Sequence, residues 1–426
     1  MTTPLVHVVV VDHDGGDLTL ACLRSILASD WPADRLRVVL VDNASRAPVT
    51  ASVARDLPAV QVISSPVNTG FAGGANLGMR ERADAEAVAL VNNDATVEPG
   101  WLRPLVDTLA TDPRIGAACP KILLDTPAVE CAITAPTHRK GRGDRRDLGV
   151  RLSGARVDGV DVWGRTRLVD GFWGYEPTPP AEPGAQWTGA RAVVRVPVTG
   201  AHPPSVEFRL GADAPTGVRI VSGTRTTECT VGPGAAWHPV ATDAVPADVV
   251  NNVGSVRSAD GAVADRGWLE VDRGQFDEPT DVALWCGAAV LLASAYLDDV
   301  GLFDERLFLY YEDVDLSVRG TARGWRYRTA PASVVRHVHS ATSIEGSPLS
   351  FHFNERNRLL VTAGAASLPG VARDLGRYLA VTGSYALRDL GAPIARGERP
   401  HGAIVTRRLR AFGAALRRLP GRRRHP

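Results

Sequence analysis

The chain has 426 residues, 44% of them apolar and 22% charged, a balance typical of a soluble globular protein built from two or three packed units. Its formal net charge of +1 gives no argument for nucleic acid, and no nucleic-acid partner is expected. The five cysteines (Cys22, Cys119, Cys131, Cys229, Cys286) lack any C-x-x-C spacing, which argues against a disulfide scaffold or a structural zinc site and fits a reducing compartment.

The N-terminal third alternates strand and helix. The apolar run 5–11 reads as a strand buried on both faces; it lacks a basic leader and is broken by His7, so no secretory signal is read there. After the turn at Gly15-Gly16, Asp17 is expected to cap a helix with Leu20, Leu23 and Leu27 on one face. Further strands are predicted at 36–41, 60–63 and 87–91, with a Gly-rich segment at 68–78. Strand and helix alternating at this spacing mean a parallel α/β sheet, whose ligands bind at the carboxyl ends of the strands. Asp42, Asn68 and Asp94 each follow a strand end, so the site is expected along that edge.

From about 134 to 247 helical periodicity gives way to short alternating runs at 192–196, 206–210, 218–221 and 226–231, separated by turns such as Pro203-Pro204 and Gly232-Pro233-Gly234. This predicts an inserted antiparallel β-module resembling a small sandwich. Its aromatics (Trp163, Phe172, Trp173, Tyr175, Trp187, Trp237) are either core or platforms for stacking on sugars. The uncharged stretch 282–297 falls short of the about 18 residues of a membrane span and reads as a buried strand feeding a short helix. A strand at 285–293, a helix from 312 to 323 and a short strand at 334–337 follow, and beyond Glu355 the pattern is mostly helical. The expected divisions are 1–133, 134–247, 248–354 and 355–426. From 400 to 426 there is no acid, while Arg407, Arg408, Arg410, Arg417, Arg418, Arg422, Arg423 and Arg424 are basic. With Leu409, Phe412, Leu416 and Leu419 among them, this tail is either a solvated terminus or a peripheral contact for an anionic membrane. Cytoplasmic residence, peripheral at the inner face of the membrane, is the expectation.

Three groups of residues carry chemistry. Asn92-Asn93-Asp94 follows an apolar strand, where a carboxylate can hold Mg²⁺ or Mn²⁺ with substrate phosphates completing the shell, or can simply cap a turn. Tyr310-Tyr311-Glu312-Asp313-Val314-Asp315 packs three acids at a helix start, as ordinary dipole-favoured caps or with one carboxylate raised toward base strength. His337 and His339 fall on one face of a strand end, where either can join Asp94 on a metal or contact phosphate. The glycines between Asn68 and Gly78 lack the P-loop lysine and the dinucleotide spacing, and are expected to let backbone approach a nucleotide.

In this order the pieces resemble the family 2 glycosyltransferases of the GT-A fold, especially the rhamnosyltransferase-like branch. The matching stretches are 8–42, 68–78, 91–101, 265–277 and 285–343. The last contains Cys286-Gly287-Ala288-Ala289, the acid cluster and His337-Val338-His339; Glu355-Arg356-Asn357-Arg358 also fits. The resemblance implies a GT-A nucleotide-sugar-binding fold with a mixed, mainly parallel sheet, interrupted by the β-rich insert and followed by C-terminal helices. It implies an inverting transfer from a nucleotide-diphosphate sugar, dTDP-rhamnose or a UDP-sugar, to a hydroxyl of a lipid-linked or polymeric cell-envelope glycan. Asp42, Asn68, Gly70 and Asn93 would line the nucleotide pocket, with Arg319 near the diphosphate. Asp94 and His337 would hold the divalent metal, Mn²⁺ or Mg²⁺. Asp313 would be the base, with Glu312 the competing assignment, and Trp285, Gly287 and Ala288 would border the acceptor. Two departures stand out: Asn92 replaces the first acid of the D-x-D motif, and Asp12-His13-Asp14 stands where Asn-Tyr-Asn is usual. The first of these, with the large insert, motivates the alternative of a non-catalytic carbohydrate-binding scaffold. A nucleotidyltransferase would instead place a basic Gly-rich loop after the first strand, where this chain is acidic.

Overall fold

A computed structural model describes residues 3–140, 146–173, 185–200, 204–257, 263–339, 347–365, 368–395, 397 and 399–418. The chain divides into two compact units, one of residues 1–125, 251–268 and 274–426, the other of 126–250 and 269–273.

The first unit is built on parallel strands. β1 (Val6–Asp12) pairs in parallel with β2 (Leu36–Asn43) and β4 (Ala87–Asn92), and β2 with β3 (Val60–Ser65). Between them run α1 (Asp17–Leu27), α2 (Thr50–Asp56) and α3 (Gly70–Arg80). β5 (Ala95–Val97), α4 (Leu102–Ala110) and β6 (Ile115–Leu124) follow. After the insert, the strand Ala289–Ala293 enters antiparallel between β4 and β6, and Arg326–His337 lies parallel to β6 and antiparallel to β5. The resulting order is 281–282, 326–337, β6, 289–293, β4, β1, β2, β3.

Strand alternation divides the valines between two cores. Val6, Val8 and Val10 of β1 pack with Leu23 and Ile26 of α1 and Leu102 and Leu105 of α4. Val9, Val39 and Val41 face Ala72, Ala75 and Met79 of α3 and the ring of Tyr296. Each such buried side chain contributes about 1.5–3 kcal/mol, which is why these runs are continuously apolar. The fold class expected from the sequence is what the structure has: a mixed, mainly parallel sheet, an antiparallel β-rich insert and C-terminal helices.

Four local expectations are corrected. Asp17 is the first helical residue, with Gly16 before it at φ 56° and no side-chain cap. The strand predicted from 285 begins at Ala289, because Gly287 and Ala288 form a turn before it. The strand predicted at 334–337 is the end of one running from Arg326, interrupted by a register shift between Ala330 and Val334 that hides it from pattern reading. The glycines of 68–78 lie in helix α3 rather than in a loop, and two of them admit the sheet: a Cβ on Gly78 would stand 2.3 Å from Val9 Cγ1, and one on Gly74 2.7 Å from Val11 Cγ1.

The second unit is a nine-stranded antiparallel assembly, among the described residues. Its long strand Gln186–Pro197 pairs with Ala128–Thr134 through 191–197 and with Arg151–Val157 at Gln186 and Trp187, so one strand serves both halves of the module. Ile133, Val194, Phe208, Leu210 and Ile220 form its core. Trp187 is only 2% exposed, with Lys140 and Arg151 against its ring, and Trp163 and Phe172 pack onto the same core. Arg156 lies 3.9 Å over the Trp237 ring, and Trp173 Nε1 donates to the Asp147 carbonyl. The aromatics are therefore occupied within the module, apart from Tyr175, which lies outside the described residues.

In the first unit, the helices Pro348–Ala365, Leu368–Ala386 and Ala403–Arg418 close the chain, with Leu359, Leu360, Tyr378 and Ala415 packed with Val314. Because the Val9 side chain is β-branched and held in the sheet, Gly78→Ala is expected to lower stability by about 1–3 kcal/mol, read as a drop in denaturant midpoint without a change in slope.

Candidate active site

The carboxyl ends of β1, β2 and β4 and the loop after β3 bring their polar residues to one edge, each held by a defined network. Asp12 is 1% exposed, and its Oδ1 accepts from Gly15 N (3.0 Å), Thr19 Oγ1 (2.7 Å) and Asn93 Nδ2 (2.9 Å). Asn93 is thereby oriented by β1. At the end of β2, Asp42 Oδ1 accepts from Ser45 N (3.1 Å). Its neighbour Asn43 ties the next loop down: Nδ2 donates to Gly70 O (2.9 Å) and Asn68 Oδ1 (3.3 Å), and Oδ1 accepts from Thr69 N (2.9 Å). Asn68 Oδ1 also accepts from Gly70 N (2.8 Å), and its Nδ2 meets His13 Nε2 at 3.2 Å. Gly70 is required twice over, by its φ of 72° and by the Phe308 carbonyl oxygen 2.2 Å from where a Cβ would stand.

Asp94 and His337, 243 residues apart, meet. His337 Nε2 is 3.0 Å from Asp94 Oδ1, and His337 Nδ1 is 2.8 Å from Asn251 Oδ1. Both side chains are nearly buried. With Nδ1–H committed to the Asn251 oxygen, a neutral ring turns its Nε2 lone pair toward a carboxylate. Two acceptors face to face need a cation between them, either a proton on Nε2 or a metal ion. Two adjacent ligands of an octahedral ion at about 2.1 Å also lie about 3.0 Å apart, so the pair fits such an ion. Among the described residues no cluster of three His, Cys, Asp or Glu side chains forms a complete cage. Hard divalent ions bound through phosphates commonly take only one or two protein ligands.

The acid pair reaches the same edge through the backbone. Asn92 N donates to Ala288 O (2.9 Å), and Gly287 N donates to Asp313 Oδ2 (2.9 Å). Asp313 thus sits one hydrogen bond from the strand that borders Asn92. Burial, above all, pushes the Asp313 carboxyl up to about 6, against the lowering effect of the Gly287 and Val314 amides. Glu312 is more deeply buried, its Oε2 has no hydrogen-bond partner, and desolvation and then the Asp313 charge raise its pKa well above the usual range. Glu312 is held neutral; Asp313 is half-buried and ionisable near neutrality.

The approach to this pair is strained. Phe308, Tyr310 and Tyr311 have φ of 66°, 66° and 70°, conformations that cost about 1–3 kcal/mol each for such residues.

Two residues are placed otherwise than the resemblance implies. Trp285 is wholly buried, in the apolar cluster beside Phe303 (6.1 Å between rings), so it is core and does not border an open cleft. The Arg319 guanidinium is committed to Asp315 (2.8 Å) and to the carbonyls of Val300 and Leu302, clamping its helix to the preceding turn. Gly287 and Ala288 do lie at the edge, beside Asp313 and Asn92. His339 packs its ring 4.7 Å from that of Trp268. Sequence reasoning missed Asp12 and Asn43 as organisers, although both end strands, and Asn251, for which no local pattern gives a signal.

Replacing Asn251 with Ala removes the partner that fixes the His337 ring, and is expected to weaken Mn²⁺ binding about 10–100-fold in titration calorimetry.

Residues 7–140 match the profile described as Glycosyl transferase family 2. Two Mycobacterium tuberculosis strains carry an N-acetylglucosaminyl-diphospho-decaprenol L-rhamnosyltransferase that is 36% identical over 85 residues, 20% of this chain. The chain thus spans 27%, about a quarter, of the length of those curated relatives. Among solved structures, GalNAc-T7 with UDP, GalNAc and Mn²⁺ superposes with a TM-score of 0.47 at 12% identity, over 85% of this chain and 50% of the other. The mannosyltransferase PcManGT from Pyrobaculum calidifontis, in complex with GDP-Man and Mn²⁺, gives 0.42 at 16% identity, over 99% and 88%. S. aureus TarS 1–349 gives 0.40 at 12% identity, over 98% and 81%. The segment that carries Asp12, Asp42, Asn68 and Asp94 is thus the part of the chain that is similar to glycosyl transferase family 2.

Proposed function

We propose that the protein is an inverting glycosyltransferase that moves a sugar from a nucleotide-diphosphate sugar to a hydroxyl of a lipid-linked or polymeric glycan. The observation that carries this reading is the convergence of the Asp94–His337 pair and the Asp313 carboxylate on one sheet edge through the Asn92–Ala288 and Gly287–Asp313 bonds. In this reading Asp42, Asn68, Gly70 and Asn93 line the nucleotide side, and Gly287 and Ala288 border the acceptor. dTDP-rhamnose or a UDP-sugar is the donor expected.

Asp94 and His337 would hold a divalent cation, which when bound neutralises charge on the departing diphosphate. Asp313 takes the proton of the acceptor hydroxyl as its oxygen attacks the anomeric carbon. The bond from that carbon to the phosphate oxygen breaks, and the nucleoside diphosphate leaves with the electron pair. One base and one displacement invert the configuration. A carboxyl raised to about 6 suits the task, being ionised at neutral pH yet more basic than an exposed aspartate. Glu312, buried and neutral, adds no second charge beside it.

Two outcomes test this. Asp313→Asn should lower kcat by about 10²–10⁴-fold while UDP or dTDP still binds with Mn²⁺ in calorimetry; undiminished turnover removes Asp313 from the reaction. In the wild type, kcat should rise with pH through about 6, because the base must lose its proton to act.

The lipid-linked acceptor is supported by the last helix. Ala403–Arg418 turns Val405, Arg408, Ala411 and Ala415 inward and leaves Leu409 and Leu416 exposed beside Arg410 and Arg417. Phe412 is not part of that outer face; it stacks on Tyr378 at 5.8 Å. Leu419 and Arg422 to Arg424 lie outside the described residues. Among those described, no helix is long and apolar enough to cross a membrane. Leucines flanked by arginines on one helix face suit the surface of an anionic membrane at its inner face. Sedimentation with phosphatidylglycerol vesicles should pellet the protein, and Leu409→Ser with Leu416→Ser should abolish it; equal binding by that variant would refute this contact.

A further inference from the structure

We infer that Asn357, braced by Arg356, is a positioning residue that locks the left-handed loop 307–311 and so aims Asp313 at the acceptor hydroxyl. The inference rests on the transferase reading for its kinetic consequence, and on geometry alone for the lock.

The side chain of Asn357 is fully buried, and the two N–H groups of its Nδ2 are shared among three carbonyls of one loop: Leu307 O (2.9 Å), Leu309 O (2.8 Å) and Tyr310 O (2.7 Å). Its Oδ1 accepts from Arg356 Nε (2.7 Å), which fixes the amide's orientation. Arg356 Nη2 adds bonds to Leu307 O (2.6 Å) and Arg306 O (3.1 Å). One adjacent pair of side chains on the helix Pro348–Ala365 therefore takes up the carbonyls of 306, 307, 309 and 310.

Those carbonyls need such partners because 306 and 307 end a single 3-10 turn (Glu305–Leu307) and the backbone of 308–310 beyond it is neither helix nor strand. Phe308, at φ 66° and ψ −61°, is the centre of a three-residue turn closed by Leu309 N to Leu307 O (2.8 Å). Tyr310 and Tyr311 are also left-handed, and Asp313 follows two residues on. A loop with three such residues relaxes unless its surroundings over-determine it. The surroundings do so from both sides. Phe308 O accepts from Ala72 N (3.1 Å) at the start of α3, next to Gly70, and the Phe308 ring stacks on Phe353 (5.2 Å, 16°), which shares a helix with Asn357. The loop thus joins the nucleotide-side helix to the helix carrying the lock, and its end delivers the acid pair.

The test uses the full chain. Asn357→Ala should lower kcat, on the nucleotide sugar that the wild type accepts, by about 10²-fold, the scale of a misplaced catalytic group. Calorimetric affinity for UDP or dTDP with Mn²⁺ should stay within about threefold, since the Asn357 and Arg356 side chains bond, among the described residues, only to the loop and to each other, and the Ala72–Phe308 bond to the nucleotide-side helix is left in place. In hydrogen exchange the amides of 307–313 should lose protection ahead of the sheet. Asn357→Asp, equal in shape but presenting a carboxylate to three carbonyls, should fail as the alanine does. Tyr310→Gly added to Asn357→Ala should recover part of kcat, because glycine holds a left-handed position without help. Faster exchange at 307–313 with unchanged kcat would make the pair merely structural and overturn the inference. So would lost kcat with unchanged exchange there, or full activity in Asn357→Asp. If Asn357→Ala does not fold, Arg356→Lys, which loses the fork to Leu307 and Asn357, carries the same readouts. A wild type with no transfer of any nucleotide sugar would sink the transferase reading, and the kinetic half of the inference with it, while the exchange arm still decides the lock.

Discussion

The antiparallel entry of Ala289–Ala293 between β4 and β6 is the constraint on which the site depends. Parallel strands gather only their own carboxyl ends. A strand running the other way brings its amino-terminal approach to that same edge, and here the approach is Cys286-Gly287-Ala288. The bond from Asn92 N to Ala288 O sets this approach beside the Asn92-Asn93-Asp94 turn, and Gly287 N then holds the Asp313 carboxylate. The strand Arg326–His337 adds the remaining piece, since His337 pairs in register with Ala95, the residue after Asp94. A slip of one residue in that pairing would turn the imidazole to the opposite face of the sheet.

Around this frame the irregular backbone is held by side-chain amides and carboxylates. Asp12 collects an amide, a hydroxyl and the Asn93 side chain; Asn43 knits β2 to the turn at 68–70; Asn357 takes up three carbonyls of the loop before the acid pair. Buried polar groups of this kind are costly when unpaired, so each network specifies one conformation. Glu312 beside the site is different: its Oε2 is buried without a partner, a state tolerable only for a neutral carboxyl. That asymmetry separates it from Asp313, which two backbone amides stabilise as an anion.

The insert shows the same logic with a different outcome. Its alternating runs are satisfied by antiparallel pairing; Trp163 packs on its core, Trp187 and Trp237 lie against lysine and arginine side chains, and Trp173 bonds to a backbone carbonyl. Tryptophans in a β-module do not by themselves mark a ligand surface, because a ring that fills the core and a ring that stacks on a sugar have the same sequence signature.

What the sequence determined was local and periodic. The valine runs at 6–10 and 38–41 dictated strands buried on both faces, and the residues just after those strands marked the edge where Asp42, Asn68 and Asp94 lie. The acid triplet at 312–315 was legible as a helix start for the same reason. The sequence raised the meeting of Asp94 with His337 and the choice between Asp313 and Glu312 only through a family resemblance; the tertiary structure brings the first pair together, leaves Asp313 the more open acid, and alone decided that Asn251 orients the ring and that Trp285 and Arg319 are spent on packing. The cause is sequence separation. Strand and helix periods are written in neighbouring residues, whereas burial, register between distant strands and the partner of a polar atom depend on which segments the completed sheet sets side by side.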